Sequence, residues 1–434
     1  MDLSALLEAI GRGPRGADLR AWSFAGSVSR RASLGVKDGQ AGNAHAPFTL
    51  GETSTVHYLL VWSDGRVSRG TWERRQVERE IDRALDEARL AAYDDPDAAR
   101  VCGRASLPVV ALHDAAAARA ALGEVTEIAD RLNAVREMVA RRSFRTWSGS
   151  FAAAEGMTRV VTSQGFDAAT SGTSLSWHVS LNGESGDGYG ARRAETHAEF
   201  LARLERLAAI ADDLARDADP DGGRDDLVLL HPRVVEAYVV ETLLANLDGA
   251  AVAHGQSHFD RHGFGSDTPV LREDIELLVD PLLPHRLGSY ACTGEGVPAS
   301  RTALVERGRL VSPVLDLKYA RRLGLEPTAQ PYAMDTVRFG GAEQIPNSDA
   351  LDRAVGGLLV LSVLGIHTQD PTSGDFSLSA QQSLRIGPRG FAGRQRSTIS
   401  GNLFELLRRD DLVFVAFEGE TTPGLLTRCR IHPT

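Results

Sequence analysis

A chain of 434 residues with 42% hydrophobic and 24% charged side chains can bury a sizeable core and is longer than one compact domain usually runs. Its net charge of −10, with no basic patch beyond Arg141, Arg142 and Arg145 at a predicted helix end, argues against a nucleic-acid partner. No apolar run reaches the roughly 18 residues that a membrane span needs.

The chain opens with a predicted helix over 3–10. It has an acidic second residue and no basic leader, so it does not read as a signal peptide, and a cytoplasmic protein is expected. Strand-like alternation covers 20–37, and 55–72 reads as a hairpin about Ser63-Asp64-Gly65. Val77, Ile81, Ala84, Leu85 and Ala88 share one face at helical spacing and predict a helix over 76–93. A short strand follows at 109–112, then a helix over 124–142 with Val125, Ile128, Leu132, Val135 and Val139 inward. Residues 144–193 read as β-rich, with turn signals at Glu155-Gly156, Gln164-Gly165, Asn182-Gly183 and Asp187-Gly188. A third long helix, 195–216, carries Phe200, Leu204, Leu207, Ala211 and Leu214. The strongest linker signal, DADPDGG at 217–223, sets a domain boundary near residue 220. Beyond it come a short strand at 227–230 and a helix begun by Pro232 and running to 247. Further strands are predicted at 275–279, 302–310, 358–365, 381–386 and 412–417. The fold class is α+β: a mixed α/β N-terminal domain with long helices (1–220) and a mainly β, barrel-like C-terminal domain (221–434).

Most constellations that could carry chemistry are weak. Cys102, Cys292 and Cys429 are odd in number and far apart, which supports neither a disulfide framework nor a zinc knuckle. Lys37 and Lys318 are the only lysines against 46 arginines, and there is no phosphate-binding GxxxxGK[ST] loop. Gly186-Asp187-Gly188-Tyr189-Gly190 resembles a phosphate loop only loosely and reads as a hairpin turn. Gly255-Gln256-Ser257 and Gly172-Thr173-Ser174 each lack the last glycine of a nucleophile elbow. His254, His258 and His262 stand four residues apart and would share a helix face as metal ligands, but Gly255, Ser257 and Gly263 make a poor helix. In a strand each step would be about 13 Å, too far to share an ion. The turn-rich Asp370–Phe376 stretch reads as a polar cluster, and Ser400 or Asn402 as the cap of the helix that follows.

Five C-terminal pieces fall in one order: Asp280-Pro281, GSYACTGEGVPASR at 288–301, LVERGRLVSPVLDLKYARRLGL at 304–325, GLLVLSVLGIHTQDPTSGDFS at 357–377 and ISGNLFELL at 399–407. Together they resemble the TldD/PmbA family, the modulators of DNA gyrase. The resemblance implies a heterodimeric zinc metallopeptidase in which a TldD-like subunit binds the metal through an HExxxH helix and a later cysteine, while a TldE- or PmbA-like subunit holds none. The helix matching HExxxH is the one over 232–247, where Glu241, Thr242 and Asn246 stand in place of histidine, glutamate and histidine. The loop that would supply the cysteine, FEGETTPGLL at 417–426, has none, and Cys429 reads as a core residue.

The resemblance therefore places this chain among the metal-free subunits. It implies no catalytic or metal-ligating residue and no cofactor here, zinc in an HExxxH-bearing partner, and a shared cavity for unfolded peptides or peptide-like natural-product precursors. An extended substrate could pair with a strand edge. Gly294, Glu295 and Gly296, and Gly374, Asp375 and Phe376, are the candidates for the cavity wall. The alternatives are a self-sufficient hydrolase using His254, His258 and His262, and a homodimeric peptide- or metabolite-binding protein.

Overall fold

A computed structural model describes residues 6–7, 18–37, 40–41, 48–124, 126–142, 144–183, 185–218 and 226–433. Most of the helix predicted at 3–10, Val125, and the boundary near residue 220 lie outside the described residues. Helix makes up 28% and strand 38% of the described residues, in segregated blocks, as an α+β fold requires.

In the N-terminal part, β1 (Leu19–Lys37), β2 (Gln40–Ala41), β3 (Thr49–Trp62), β4 (Val67–Glu73), β5 (Trp147–Thr162), β6 (Asp167–Leu181) and β7 (Ser185–Ala191) form one antiparallel sheet. Its order is β4-β3-β1-β5-β6-β7, with β2 paired to β1. The 19 residues of β1 span about 60 Å, whereas a 17-residue helix such as α1 (Arg74–Leu90) spans about 25 Å. One helix cannot cover such a sheet, so the apolar residues separate into two cores. At one end Phe24, Val56, Leu60, Trp62 and Trp72 pack on Ala84, Leu85 and Ala88 of α1. At the other, Trp147, Phe151, Trp177 and Val179 pack under α2 (Ala115–Ala121), α3 (Thr126–Arg142) and α4 (His197–Leu214). Thr196 and Glu199 close a capping box that starts α4. Between the cores, Ser27 to Arg31 of β1 and Ala154 to Arg159 of β5 are half-buried or exposed.

Two predicted turns prove to be strand. Glu155-Gly156 lies inside β5, and Asp187-Gly188 inside β7. The glycines of β7 serve close approach: a Cβ on Gly190 would stand 2.6 Å from Leu287 Cδ1. The strand expected at 109–112 is absent; Ala111 and Leu112 only accept single bonds from the N–H groups of His285 and Thr173.

The C-terminal part carries β8 (Leu227–Leu230), β9 (Glu276–Val279), β10 (Thr302–Glu306), β11 (Arg309–Leu310), β12 (Val337–Gly340), β13 (Ile345–Pro346), β14 (Leu358–Leu364), β15 (Asp375–Gly387), β16 (Gly390–Arg394), β17 (Ser397–Asn402), β18 (Val413–Ala416), β19 (Gly424–Arg428) and β20 (Arg430–Pro433). The single strand expected at 302–310 is a hairpin turned at Arg307 and Gly308, both at positive φ. One sheet runs β13-β18-β19-β8-β14-β15-β17-β20 with β16 on β15; the other runs β11-β10-β9-β12. Among the described residues these strands form no closed barrel. Both sheets are open, and the apolar space between them is filled by the helix over 232–247, α5, in place of closing strands. Val235, Val239, Leu243 and Leu247 of α5 are fully buried in a core drawn from both sheets. The short helices α6 (Gly249–His254), α7 (Leu317–Leu323), α8 (Asn347–Arg353) and α9 (Leu403–Leu406) complete this part.

Charged side chains sew the two parts together. Arg192, after β7, donates to the carbonyls of Arg286, Leu287 and Ser289 at 2.9, 3.0 and 2.7 Å. Arg233 donates to Gly186 O at 2.7 Å and pairs with Asp187. Lys318 meets Asp95 at 2.7 Å, and Glu295 meets Arg69 at 3.4 Å while accepting the N–H of Leu317 at 2.9 Å.

Arg192→Ala removes the donors of three carbonyls and is expected to cost about 3 kcal/mol. Arg192→Lys, which keeps the charge but loses the fork, should recover little of it. The denaturant midpoint at constant m reads this directly. Burial raises the Glu295 carboxyl above its usual range, against the opposing pull of the Leu317 N–H and Arg69. With the folded value above the unfolded one, this group's stabilising contribution is present at acid pH and is lost as pH rises through the folded value. Glu295→Gln should flatten that part of the stability–pH profile, as followed by thermal melts across a pH series.

Candidate functional site

Helix α5 begins at Pro232, with His231 as its cap. Burial beside Phe417 and the Arg233 charge lower the His231 imidazole to about 3, so it stays neutral. The helix widens into a π turn over Val235–Val240 and returns to α geometry over Glu241–Leu247. Glu241 is exposed, whereas Thr242 and Asn246 are buried at 8% and 1%.

The amide of Asn246 is fully committed. Its Nδ2 donates to Thr242 O at 2.9 Å and Pro371 O at 2.8 Å, and its Oδ1 accepts the N–H of His258 at 2.6 Å. Its own carbonyl accepts the Ser257 hydroxyl at 2.6 Å. The residue joins α5 to the 257–258 loop and the 370–372 loop. Both polar atoms of the side chain are engaged in holding loops, and a neutral amide is a poor substitute for a zinc-binding imidazole, so these three positions do not fit zinc. The 417–426 loop lies against the earlier turn of the same helix, where the Thr422 hydroxyl donates to Glu236 at 2.6 Å. Glu420, in that loop, has a carboxyl raised by burial despite Arg233 and Arg203 nearby. Cys429 belongs to the core, and burial pushes its thiol up to about 12.

The three histidines do not assemble. His254 Nε2 accepts from Arg322 at 3.1 Å, and His262 Nε2 accepts from Arg261 at 3.2 Å. The His258 ring stacks on Phe404 at 3.5 Å between centroids, and its Nδ1–H donates to Thr372 O at 3.0 Å. Each imidazole has its own neighbourhood. Among the described residues no group of three or more His, Cys, Asp or Glu side chains is placed to hold a metal.

The two predicted cavity-wall segments line different clefts. Gly294 borders a cleft of about 420 Å³ over the bare middle of the N-terminal sheet, and with Glu295 it borders a second of about 270 Å³ beside Arg69 and His57. Gly296, at φ +86°, lies where a Cβ would press on the Phe166 ring and Cys102; the Cys102 thiol donates to Gly296 O at 3.2 Å. Asp375 and Phe376 border a third cleft of about 550 Å³ with Asp226, Asn402, Arg409 and Arg428. Gly374, at φ +73°, has no room for a Cβ against the Phe404 ring. Asn402, one of the two expected caps, does start α9 by accepting the N–H of Glu405 at 3.1 Å, and its Nδ2 holds Asp375 at 2.9 Å.

The largest surprise is the floor of the 420 Å³ cleft. Ser27, Ser29, Gly156, Thr158, Thr170, Gly172 and Ser174 come from three strands, under Tyr290 and Tyr332. The two rings lie 5.0 Å apart, and Tyr332 is 58% exposed. Arg192 is the one charged side chain in the lining, and its donors are taken by carbonyls. In sequence these residues read as ordinary strand. Their one shared signal is that none is larger than threonine. Such a surface can hydrogen-bond an uncharged polar chain; it holds no activated nucleophile.

Residues 224–422 match the PmbA/TldA metallopeptidase C-terminal domain. An uncharacterized protein of Methanocaldococcus jannaschii is 26% identical over 272 residues, 60% of this chain and 62% of that protein. A metalloprotease of Methanothermobacter thermautotrophicus is 26% identical over 207 residues, 46% of this chain and 44% of that protein. The matches thus span less than two thirds of these relatives. Among solved structures, TldE from Thermococcus kodakarensis superposes with a TM-score of 0.80 at 16% identity over 99% of both chains. A protein of Thermotoga maritima named as a modulator of DNA gyrase gives 0.76 at 18% identity, again over 99% of both. The C-terminal domain of this chain, residues 224–422, is thus a PmbA/TldD-family domain, and along its whole length the chain has the fold of TldE.

Proposed function

We propose that this chain is the non-catalytic subunit of a TldD/TldE-type zinc metallopeptidase, completing with an HExxxH-bearing partner a cavity for unfolded peptides or peptide-like precursors. One observation carries this reading: where the family's second zinc-binding histidine would stand, Asn246 spends every polar atom of its side chain on holding two loops to α5. A histidine there would have to release those loops before it could bind an ion. Glu241 faces solvent, and the loop that would bring a cysteine brings Glu418, Glu420 and two threonines. A zinc site without three protein ligands retains little of its binding free energy. In this reading zinc and the activated water belong to the partner. The contribution of this chain is shape and uncharged hydrogen-bonding surface, which favours an extended backbone over a folded protein.

Asn246→Asp keeps the shape but sets a carboxylate against two carbonyl oxygens, and should destabilise the chain by about 3 kcal/mol. A denaturant titration monitored beside Phe404 would report it. Purified alone, the chain should carry no stoichiometric zinc by elemental analysis and leave unstructured peptides intact. Co-expressed with an HExxxH relative it should co-elute as a one-to-one complex that hydrolyses them. One zinc per chain in the lone protein, lost on His258→Ala, would instead restore a self-sufficient hydrolase. A stable homodimer that ignores every such partner would point to a separate binding protein.

A further inference from the structure

Strand β6 is covered on its outer side only in part. β7 pairs with it from Leu175 to Leu181, while β5 follows it on the inner side to Asp167 without a register shift. In an antiparallel strand alternate residues direct both N–H and C=O to the same side. Thr173 marks the outward phase, because its N–H leaves the sheet to reach Leu112 O at 3.0 Å. Ser171, Ala169 and Asp167 share that phase. Their outward backbone groups make no hydrogen bond among the described residues. The edge is also undefended. Natural edge strands are commonly blunted by lysine, proline or a bulge, but ATSG at 169–172 has none of these, and Asp167 is held by Arg159 at 2.8 and 2.9 Å. Thr170, Ser171, Gly172 and Thr173 all line the 420 Å³ cleft, so this edge borders the hydroxyl floor and the Tyr290–Tyr332 pair.

We propose that the outer edge of β6, residues 167–171, is a strand-addition subsite that pairs with the backbone of a short extended substrate peptide with small, uncharged side chains. Three features select this occupant. Alternating free N–H and C=O groups are satisfied together only by another extended backbone. The open stretch matches about five residues of strand, a peptide rather than a protein interface. The lining offers no free charge to a charged side chain. The inference rests on the peptidase-subunit reading and names which part of this chain would hold the substrate.

Amide hydrogen exchange, resolved by residue, tests it. The probe is an acetylated and amidated Ala-Ser-Ala-Ser-Ala-Ser peptide, added to the complex with a zinc-depleted partner. Ala169 and Ser171 amides should exchange freely without peptide and slow at least about tenfold at saturation, while Ala168 and Thr170, already bonded to β5, stay unchanged. Protection brought by the partner alone assigns the edge to the subunit interface and overturns the proposal. So does an unaltered exchange pattern under conditions where the zinc-loaded complex hydrolyses the same peptide. Ser171→Pro removes an outward donor that the sheet does not use, and Ser171→Lys blunts the edge without touching the backbone. Both should raise KM about tenfold with kcat nearly constant, whereas Thr170→Ala should not; an unchanged KM in both would also overturn it. If no partner binds, the subunit reading fails by itself. The same exchange measurement on the lone chain with peptide then decides the edge.

Discussion

The C-terminal part depends on burying one face of a single helix between two open sheets. Helix α5 presents Val235, Val239, Leu243 and Leu247 to a core shared by the nine-stranded and four-stranded sheets. Neither sheet could close its apolar face on itself, so the helix takes the place that closing strands would occupy. Once α5 is fixed, Asn246 at its far end is placed to hold the 257–258 and 370–372 loops. The Asn246 side chain uses both of its polar atoms in fastening them.

The N-terminal sheet obeys a different constraint. Its strands are longer than any helix available to cover them, so two cores form at the ends and the middle is left to solvent and to the Gly288–Gly294 segment of the other part. Small side chains there let the segment come near without filling the gap. Arg192 and Arg233 hold the separation by bonding backbone carbonyls, which fixes position without placing a free charge in the cleft. The result is a cleft whose one charged side chain, Arg192, is spent on carbonyls, bounded by a strand edge whose outward groups are unpaired among the described residues.

Much of this was legible along the chain. The helices around 76–90, 126–142 and 197–214 follow from apolar residues at helical spacing, and that the sequence contains no HExxxH string is read directly from its residues. Turn chemistry was read correctly where glycine takes positive φ, at Gly165 and Gly183. It misled at Gly156 and Gly188, where the same residue sits in regular strand and serves close packing. Glycine signals both needs with one letter, and only the neighbour across space distinguishes them. The hydroxyl cleft escaped notice because Ser27, Thr158 and Thr170 are far apart in sequence and each is unremarkable in a strand.

Sequence by itself determined most of the secondary elements, the family of the C-terminal domain, and the absence of histidine and cysteine from α5, because periodicity and side-chain chemistry are local properties. Tertiary structure alone decided that the C-terminal sheets stay open, that Asn246 is spent on two loops, that the three histidines part company, and that β6 outruns β7. Each of these depends on which segments meet after folding, and strand register and side-chain satisfaction have no signature in any single stretch of chain.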